Sequence, residues 1–390
     1  MSEQLDLKSA INLKSPDNAR RMELNDRDVV QFAGLGLVVL LAFSREQLLA
    51  TPSEYITFYN GARLLGTPYL YDAAHGYLHQ IAALGGFTDQ FLFVRIPFCA
   101  LLHWPLSLLT YGAARHVWSA ISAVALAGFI WLWKTPNWKV NLVACCWSLP
   151  ILFDFVFGKD TVFLLLLLAI AFRLYQRRPA VSGLIMSVLA VKFHLFLLLP
   201  LLFLGQRRWR MAAGFSLGAA VIASVSFLVG GPDWPVRLVR LILSQSTSRE
   251  HLMPNLRGLI APFSGALLPE LLMAAGVAVL TWRIVCHSDF EYGLSAVLLA
   301  SLLVSHHTAI YDCALLLPAI LVVSGRAAPQ SALSFLCLFL LTPVPYILLT
   351  IGVLPAMISR FALIALLVCL HAGRPTDRLL ERRLTPAQIM

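Results

Sequence analysis

The stretch RRWRMAAGFSLGAAVIASVSFLV, residues 207–229, opens with three arginines around a tryptophan and then runs nineteen residues without a charge. As a helix, such a run is about as long as the hydrocarbon core of a bilayer is thick, and a basic cluster at one end marks that end as cytoplasmic. It predicts a span that leaves the cytoplasm at Met211. Working outward from it, apolar runs and basic connections alternate along most of the chain.

Immediately upstream, residues 180–205 are apolar but carry basic clusters at both ends, Arg177 and Arg178 before them and Arg207, Arg208 and Arg210 after. An even number of crossings must therefore fit into this short segment, which leaves each limb about 18 Å of helix against a ~30 Å core. The reading is a broken re-entrant hairpin with Lys192-Phe193-His194 near its apex, inside the protein. Spans are expected at residues 29–49, 113–133, 142–157, 161–174, 211–229, 268–285, 293–305, 309–324, 331–349 and 353–370. Residues 91–112 are also apolar, but Arg95, Pro97, His103 and Pro105 interrupt them, so 93–112 reads as an interfacial or re-entrant helix.

The fold class expected is an all-α polytopic membrane protein, a bundle of about ten transmembrane helices with the broken hairpin and extracytoplasmic interfacial helices. A cytoplasmic tail (1–28) precedes one membrane domain (29–372), whose external segments are 50–112 and 230–267, and a cytoplasmic tail (373–390) follows. The location expected is the inner (plasma) membrane of the cell envelope, with both termini cytoplasmic.

Composition agrees. Of 390 residues 59% are hydrophobic and 13% charged, and the mean hydropathy of +0.77 is too apolar for a single water-soluble core. The net charge of +10 falls in short connections, so it speaks for topology and against nucleic acid as a partner. The seven cysteines lie almost entirely in apolar runs with no Cys-x-x-Cys pair and read as small hydrophobes. The first apolar run follows a polar tail and lacks a small-residue cleavage site, so it is expected to stay as an anchor.

Ionisable groups at membrane depth are costly and mark function; here they gather on the external side. Glu54 leads the run Glu54-Tyr55-Ile56-Thr57-Phe58-Tyr59-Asn60-Gly61-Ala62-Arg63, and Tyr69 follows in the same segment. A carboxylate among aromatic rings at the membrane boundary suits a lipid headgroup and a proton-accepting role; a solvated turn next to Pro52 is the plainer alternative. Arg95, Lys159, Lys192, Arg237, Arg240, Arg249, Arg257 and Arg360 are basic on that side, as a phosphodiester substrate requires. Arg237 and Arg240 lie on an amphipathic segment that reads as a surface helix, whereas Lys192 and Arg360 are flanked by apolar sequence and are candidates to line a polar cavity. His306, His307 and Asp312 stand between two spans, either to meet a phosphate or to hold the turn. His75 and His79, four apart near Asp72, could in form be a metal pair, but no metal is expected.

The run from Glu54 to Asp72 resembles the signature that follows the first span in the membrane mannosyltransferases of glycosyltransferase family 87. Further similarity follows in order, at residues 93–102, at Phe157-Gly158-Lys159-Asp160, at 183–194, and at Ser305 to Asp312. The resemblance implies the type C glycosyltransferase fold, an extracytoplasmic active site, and a polyprenyl-phosphate sugar, usually mannose, as donor, with a lipid or glycan acceptor and no cofactor. The family's catalytic acid falls on Glu54, where Asp is usual; Lys159 stands where Gln is common, Ile96 where the first Pro is common, and Phe193 where Pro follows the Lys. On this resemblance Glu54 is the general base, and the anomeric centre inverts. Lys192, His194, His306 or His307, and Arg257 or Arg360 hold the phosphate, and Tyr55, Phe58, Tyr59 and Tyr69 line the sugar and lipid site. Arg63, Lys159 and Asp312 complete the substrate-binding set. The competing expectations are a transporter or flippase of a lipid-linked sugar, or a non-catalytic binder of one.

Overall fold

The computed structural model describes residues 25–45, 53–86, 89–133, 135–244, 250–263 and 267–372. Residues 1–24 of the amino-terminal tail, Lys134, Arg249 and the carboxy-terminal tail with Arg374, Arg378, Arg382 and Arg383 lie outside them. The described residues are helical, with no strand. Five helices are long and apolar enough to cross a membrane: Tyr111–Leu132, Pro179–Phe196, Trp209–Gly230, Leu267–Cys286 and Val353–Ala372. Two bent pairs raise the number to seven. The chain is a polytopic membrane protein; shorter apolar helices, Thr161–Leu174, Phe290–Val304 and Ile310–Ser324, occupy three of the other expected spans. The expected first span appears as a helix over Asp26–Phe43, short and charged in its first turn.

The bent pairs have a sequence cause. Residues 142–157, expected as one span, form Trp138–Cys146 and Leu149–Phe157 at 64° to each other. The Ser148 hydroxyl caps the second helix and Pro150 sits in its first turn, where a missing N–H is harmless and the ring forbids continuation of the helix before it. Pro343 and Pro345 act likewise between Ala332–Leu341 and Val344–Ile351, bent by 66°.

The hairpin over residues 180–205 carries the expected break at Lys192, but its first limb and apex together, Pro179–Phe196, are long and apolar enough to count as one span. Its first limb is Pro179–Ser187, its apex a 3-10 stretch over Val188–Phe196 in which Lys192 leaves helical geometry (φ −110°, ψ 54°), and its return limb Leu199–Gly205. Pro179, Arg207, Arg208 and Arg210 line one cleft with Tyr175 and Trp209, so both hairpin ends reach the same end of the bundle. The first limb lies backbone to backbone on Trp209–Gly230: a Cβ at Gly183 would stand 2.0 Å from the Met211 carbonyl oxygen, and one at Gly214 1.9 Å from that of Ala180. Close approach through small residues is how helices attract one another in lipid, where burial alone gives no gain.

The interrupted segment forms the eleven-residue helix Pro97–Ser107, too short to cross. Its start is fixed to Trp209–Gly230, where Ser226 Oγ accepts the Phe98 N–H at 3.3 Å. The amphipathic helix Trp234–Ser244 buries Leu238 and Leu241 in an apolar cluster with Tyr55, Phe58, Leu70, Tyr71 and Phe93. Arg237 ties it down, donating to the Pro68 and Gly230 carbonyls, each at 2.9 Å.

Candidate active site

Gly158 positions the first pair of charges. It ends the Leu149–Phe157 helix at φ +65°, a left-handed conformation that favours glycine. Its missing side chain also lets Tyr55 approach, since a Cβ there would lie 2.7 Å from Tyr55 Cβ and 2.9 Å from Ser53 Oγ. Ser53 Oγ donates to the Phe157 carbonyl at 3.1 Å, joining the two chain segments. Glu54, at the start of the Tyr55–Leu64 helix, thereby meets the ammonium of Lys159 in a close ion pair, with 24% of the Glu54 side chain exposed but 7% of the Lys159 side chain. The Lys159 backbone is fixed on both sides: its N–H donates to the Asp154 carbonyl at 2.8 Å, and its carbonyl accepts from Trp118 Nε1 at 3.3 Å.

Behind this pair lies a buried network centred on Lys192. Its ammonium donates to Thr161 Oγ1 at 2.7 Å and Asp312 Oδ1 at 3.0 Å and forms an ion pair with Asp160 Oδ1 at 2.9 Å. Arg95 approaches Asp160 at 3.7 Å. Asp312 Oδ2 accepts the Ala309 N–H at 2.9 Å. Asp154, also buried, caps the start of Thr161–Leu174 by accepting from Thr161 N at 2.9 Å and Val162 N at 3.3 Å. The Tyr311 ring stands between the two lysines, 5.1 Å from Lys159 Nζ and 5.6 Å from Lys192 Nζ. His194 and His307 lie within electrostatic reach of Asp312, Arg95 and each other.

An aromatic wall closes one flank. His103 stacks on Phe58 at 4.6 Å and tilts against Trp118 at 4.5 Å, and Tyr55 stacks on Trp118 at 6.0 Å. Tyr59 points away and donates its hydroxyl to the Leu109 carbonyl at 2.8 Å; Arg63 binds the Ser107 carbonyl at 3.1 Å.

The structure thus gathers Glu54, Tyr55, Phe58, Lys159, Lys192, His194, His307 and Asp312. Other candidates lie apart. His306 Nδ1 meets Glu270 Oε1 at 2.9 Å, and Arg257 bridges Glu250 (2.8 Å) and Glu270 (3.3 Å). Buried Arg360 donates through Nε to the Met253 carbonyl at 2.9 Å and through Nη2 to the His251 carbonyl, with Nη1 3.7 Å from Met357 Sδ. This second group adjoins the first through Asn255, whose Nδ2 donates to the Ser305 carbonyl at 2.5 Å. Tyr69 stacks on His75 at 3.8 Å, and His75 lies 3.1 Å from Asp72; among the described residues no three His, Cys, Asp or Glu side chains gather as a metal ion needs. Asp154, Asp160, Thr161, His103 and Tyr311 were not singled out from sequence. The signal for the aspartates was available, because a lysine buried in apolar sequence requires a carboxylate.

From the site, Thr161–Leu174 runs about 21 Å to Tyr175 in the basic cleft, so the two occupy opposite ends of the bundle. A partly exposed carboxylate beside desolvated cations can accept a proton while the cations stabilise an anion.

Comparison with known proteins gives a match to glycosyltransferase family 87 over residues 93–306. No curated protein and no solved structure matches. The matched stretch contains Arg95, Lys159, Asp160, Lys192 and His194; Glu54 and Asp312 fall on either side of it and join the site through space. With more than half of its length matched, this membrane-embedded chain belongs to glycosyltransferase family 87 and is a membrane glycosyltransferase.

Proposed function

We propose that the protein transfers a hexose, mannose being the first expectation, from a polyprenyl-phosphate sugar to a lipid or glycan acceptor on the extracytoplasmic face. The observation that carries this reading is the pairing of partly exposed Glu54 with Lys159 at the edge of the buried charge network. The acceptor hydroxyl gives its proton to Glu54 as its oxygen attacks the anomeric carbon. The bond from that carbon to the phosphate oxygen breaks, and the polyprenyl phosphate leaves with the electron pair and one more negative charge. Attack opposite the leaving group inverts the centre. Proton removal by a positioned base contributes typically ~10²–10⁴-fold, and preorganised cations meet the charge that develops on the phosphate.

Lys159 and Arg95 are the cations best placed for that task, with His307 beside them; Lys192 holds the aspartates in place. The basic cleft, by the charge rule for membrane proteins, lies on the cytoplasmic side, which puts Glu54 outside. The test is sugar transfer from radiolabelled polyprenyl-phosphate mannose by purified protein and by Glu54→Gln. Transfer by the wild type that falls at least about a hundredfold in a folded Glu54→Gln protein supports the reading. No transfer from mannose, glucose or arabinose donors overturns it.

A further inference from the structure

The ion pairs of the site join three carboxylates, Glu54, Asp160 and Asp312, to three cations, Arg95, Lys159 and Lys192. Within these pairs no positive charge is left over, and buried Arg360 of the adjoining group, which has no carboxylate partner, is committed to the backbone carbonyls of Met253 and His251. A phosphodiester brings one more negative charge to the pairs, and a cation of the pairs meets it by leaving a carboxylate. Which one leaves is decided by the cost of the carboxylate left behind, and that cost rises steeply with burial.

Lys192 is excluded. It is fully buried, it donates to Thr161 and Asp312 and pairs with Asp160, and its release would strand Asp312 and leave Asp160 only the more distant Arg95, carboxylates that are 5% and 6% exposed. Arg95 is only loosely paired, 3.7 Å from Asp160, and its departure would leave Asp160 on Lys192 at 2.9 Å, so it would unmask no exposed carboxylate. Lys159 differs on each point: its one carboxylate partner is the most exposed of the three, and water can solvate Glu54 once it is unpaired. The rest of the Lys159 ammonium surface faces the rings of Phe58, at 5.9 Å, and Tyr311, at 5.1 Å. A ring face attracts a cation over a range of positions, so the ammonium moves without losing that support. The backbone hydrogen bonds to Asp154 and Trp118 keep the residue in place while its side chain turns.

From this geometry we infer that Lys159 exchanges between two anions, the Glu54 carboxylate and the phosphate of the lipid-linked donor. Donor binding thus unmasks the base: the same movement that neutralises the phosphate frees both oxygens of Glu54 for the acceptor hydroxyl. Proton abstraction is coupled to donor occupancy, and the acceptor is not deprotonated before a leaving group is in place. The inference rests on the proposed donor class, yet its test needs no turnover.

The test is equilibrium binding of farnesyl phosphate, which carries no sugar to transfer, to purified protein in detergent. Glu54→Gln removes the competing anion and is expected to bind on the order of tenfold tighter than wild type, equivalent to about 1.4 kcal/mol. Lys159→Met is expected to bind about tenfold more weakly, and in that background Glu54→Gln should recover only a small part of its gain. Lys159→Arg, which keeps a positive charge on a side chain of similar reach though of different shape, should lose less affinity than Lys159→Met if the protein is intact. Wild-type binding that Glu54→Gln leaves unchanged or weakens overturns the exchange but not the donor class. Equal affinity of wild type and Lys159→Met overturns it as well. Absence of binding by every variant overturns the exchange and the polyprenyl-phosphate reading together.

Discussion

Lys192 shows why a charge can be indispensable without touching substrate. With no exposure and both Asp160 and Asp312 within 3.0 Å, its removal leaves Asp312 unpaired and Asp160 with only Arg95, 3.7 Å away, in a low-dielectric interior. Breaking one side of a buried ion pair costs about 3–5 kcal/mol, so Lys192→Met should lower the thermal unfolding temperature in detergent sharply. Adding Asp160→Asn and Asp312→Asn should restore a good part of that stability. Gly158→Ala should act differently: its Cβ would push against Tyr55 and Ser53 and part Glu54 from Lys159. Transfer should fall by at least tenfold with a smaller change in stability, read as kcat against unfolding temperature. Part of this site is legible in the sequence, since Glu54, Lys159, Lys192 and Asp312 stand out as charges in apolar or aromatic surroundings. Their pairing is not. The partners of Lys192 lie 31 residues before it, at Thr161, and 120 after it, at Asp312, and only packing decides that Arg257 and His306 turn instead to Glu270. Flanking hydrophobicity shows that a charge needs a partner but not which.

Among the elements, the hairpin was the most readable, because basic residues at both ends of a short apolar run allow no single crossing. The bends at Pro150 and Pro345 were not, since a proline in an apolar run is compatible with a kink, a break or a new first turn. The limb over Pro179–Ser187 is held by backbone contact, so Gly214→Val should insert methyl groups where the Ala180 carbonyl now sits. The expected cost is at least 1–3 kcal/mol, with transfer lost as the Lys192 apex shifts; a stability assay and a transfer assay on the same preparation check it. Outside the membrane, Asp72 caps Ala73–Leu84, its carboxylate accepting the His75 N–H at 2.9 Å. That hydrogen bond and the nearby His75 ring hold the Asp72 carboxyl below its ordinary range. The cap is therefore at full strength above about pH 4 and is lost as pH falls through the lower folded-state value. Asp72→Ala should weaken the helix by about 0.5–2 kcal/mol at neutral pH, seen as faster amide exchange over 73–84. In acid the two proteins should converge.

For the whole molecule, the two ends of the bundle carry separate chemistry, the paired charges of the candidate site at one and a cleft of arginines at the other. Cys286 has an exposed thiol and lines the cleft beside Arg207 and Arg208. A membrane-impermeant maleimide should label it in inside-out vesicles and not in right-side-out ones, whereas Ala82→Cys on the external helix should show the opposite pattern. Labelling of Cys286 from outside would reverse the assigned orientation. The Lys192 network also has a consequence in time. Its first partners, Asp160 and Thr161, are already made when Lys192 leaves the ribosome, but Asp312 follows 120 residues later. At about 5–20 residues per second that is a delay of roughly 6–24 s. For that interval the nascent hairpin holds its ammonium against one carboxylate, and the late helices arrive to lock an arrangement already half assembled.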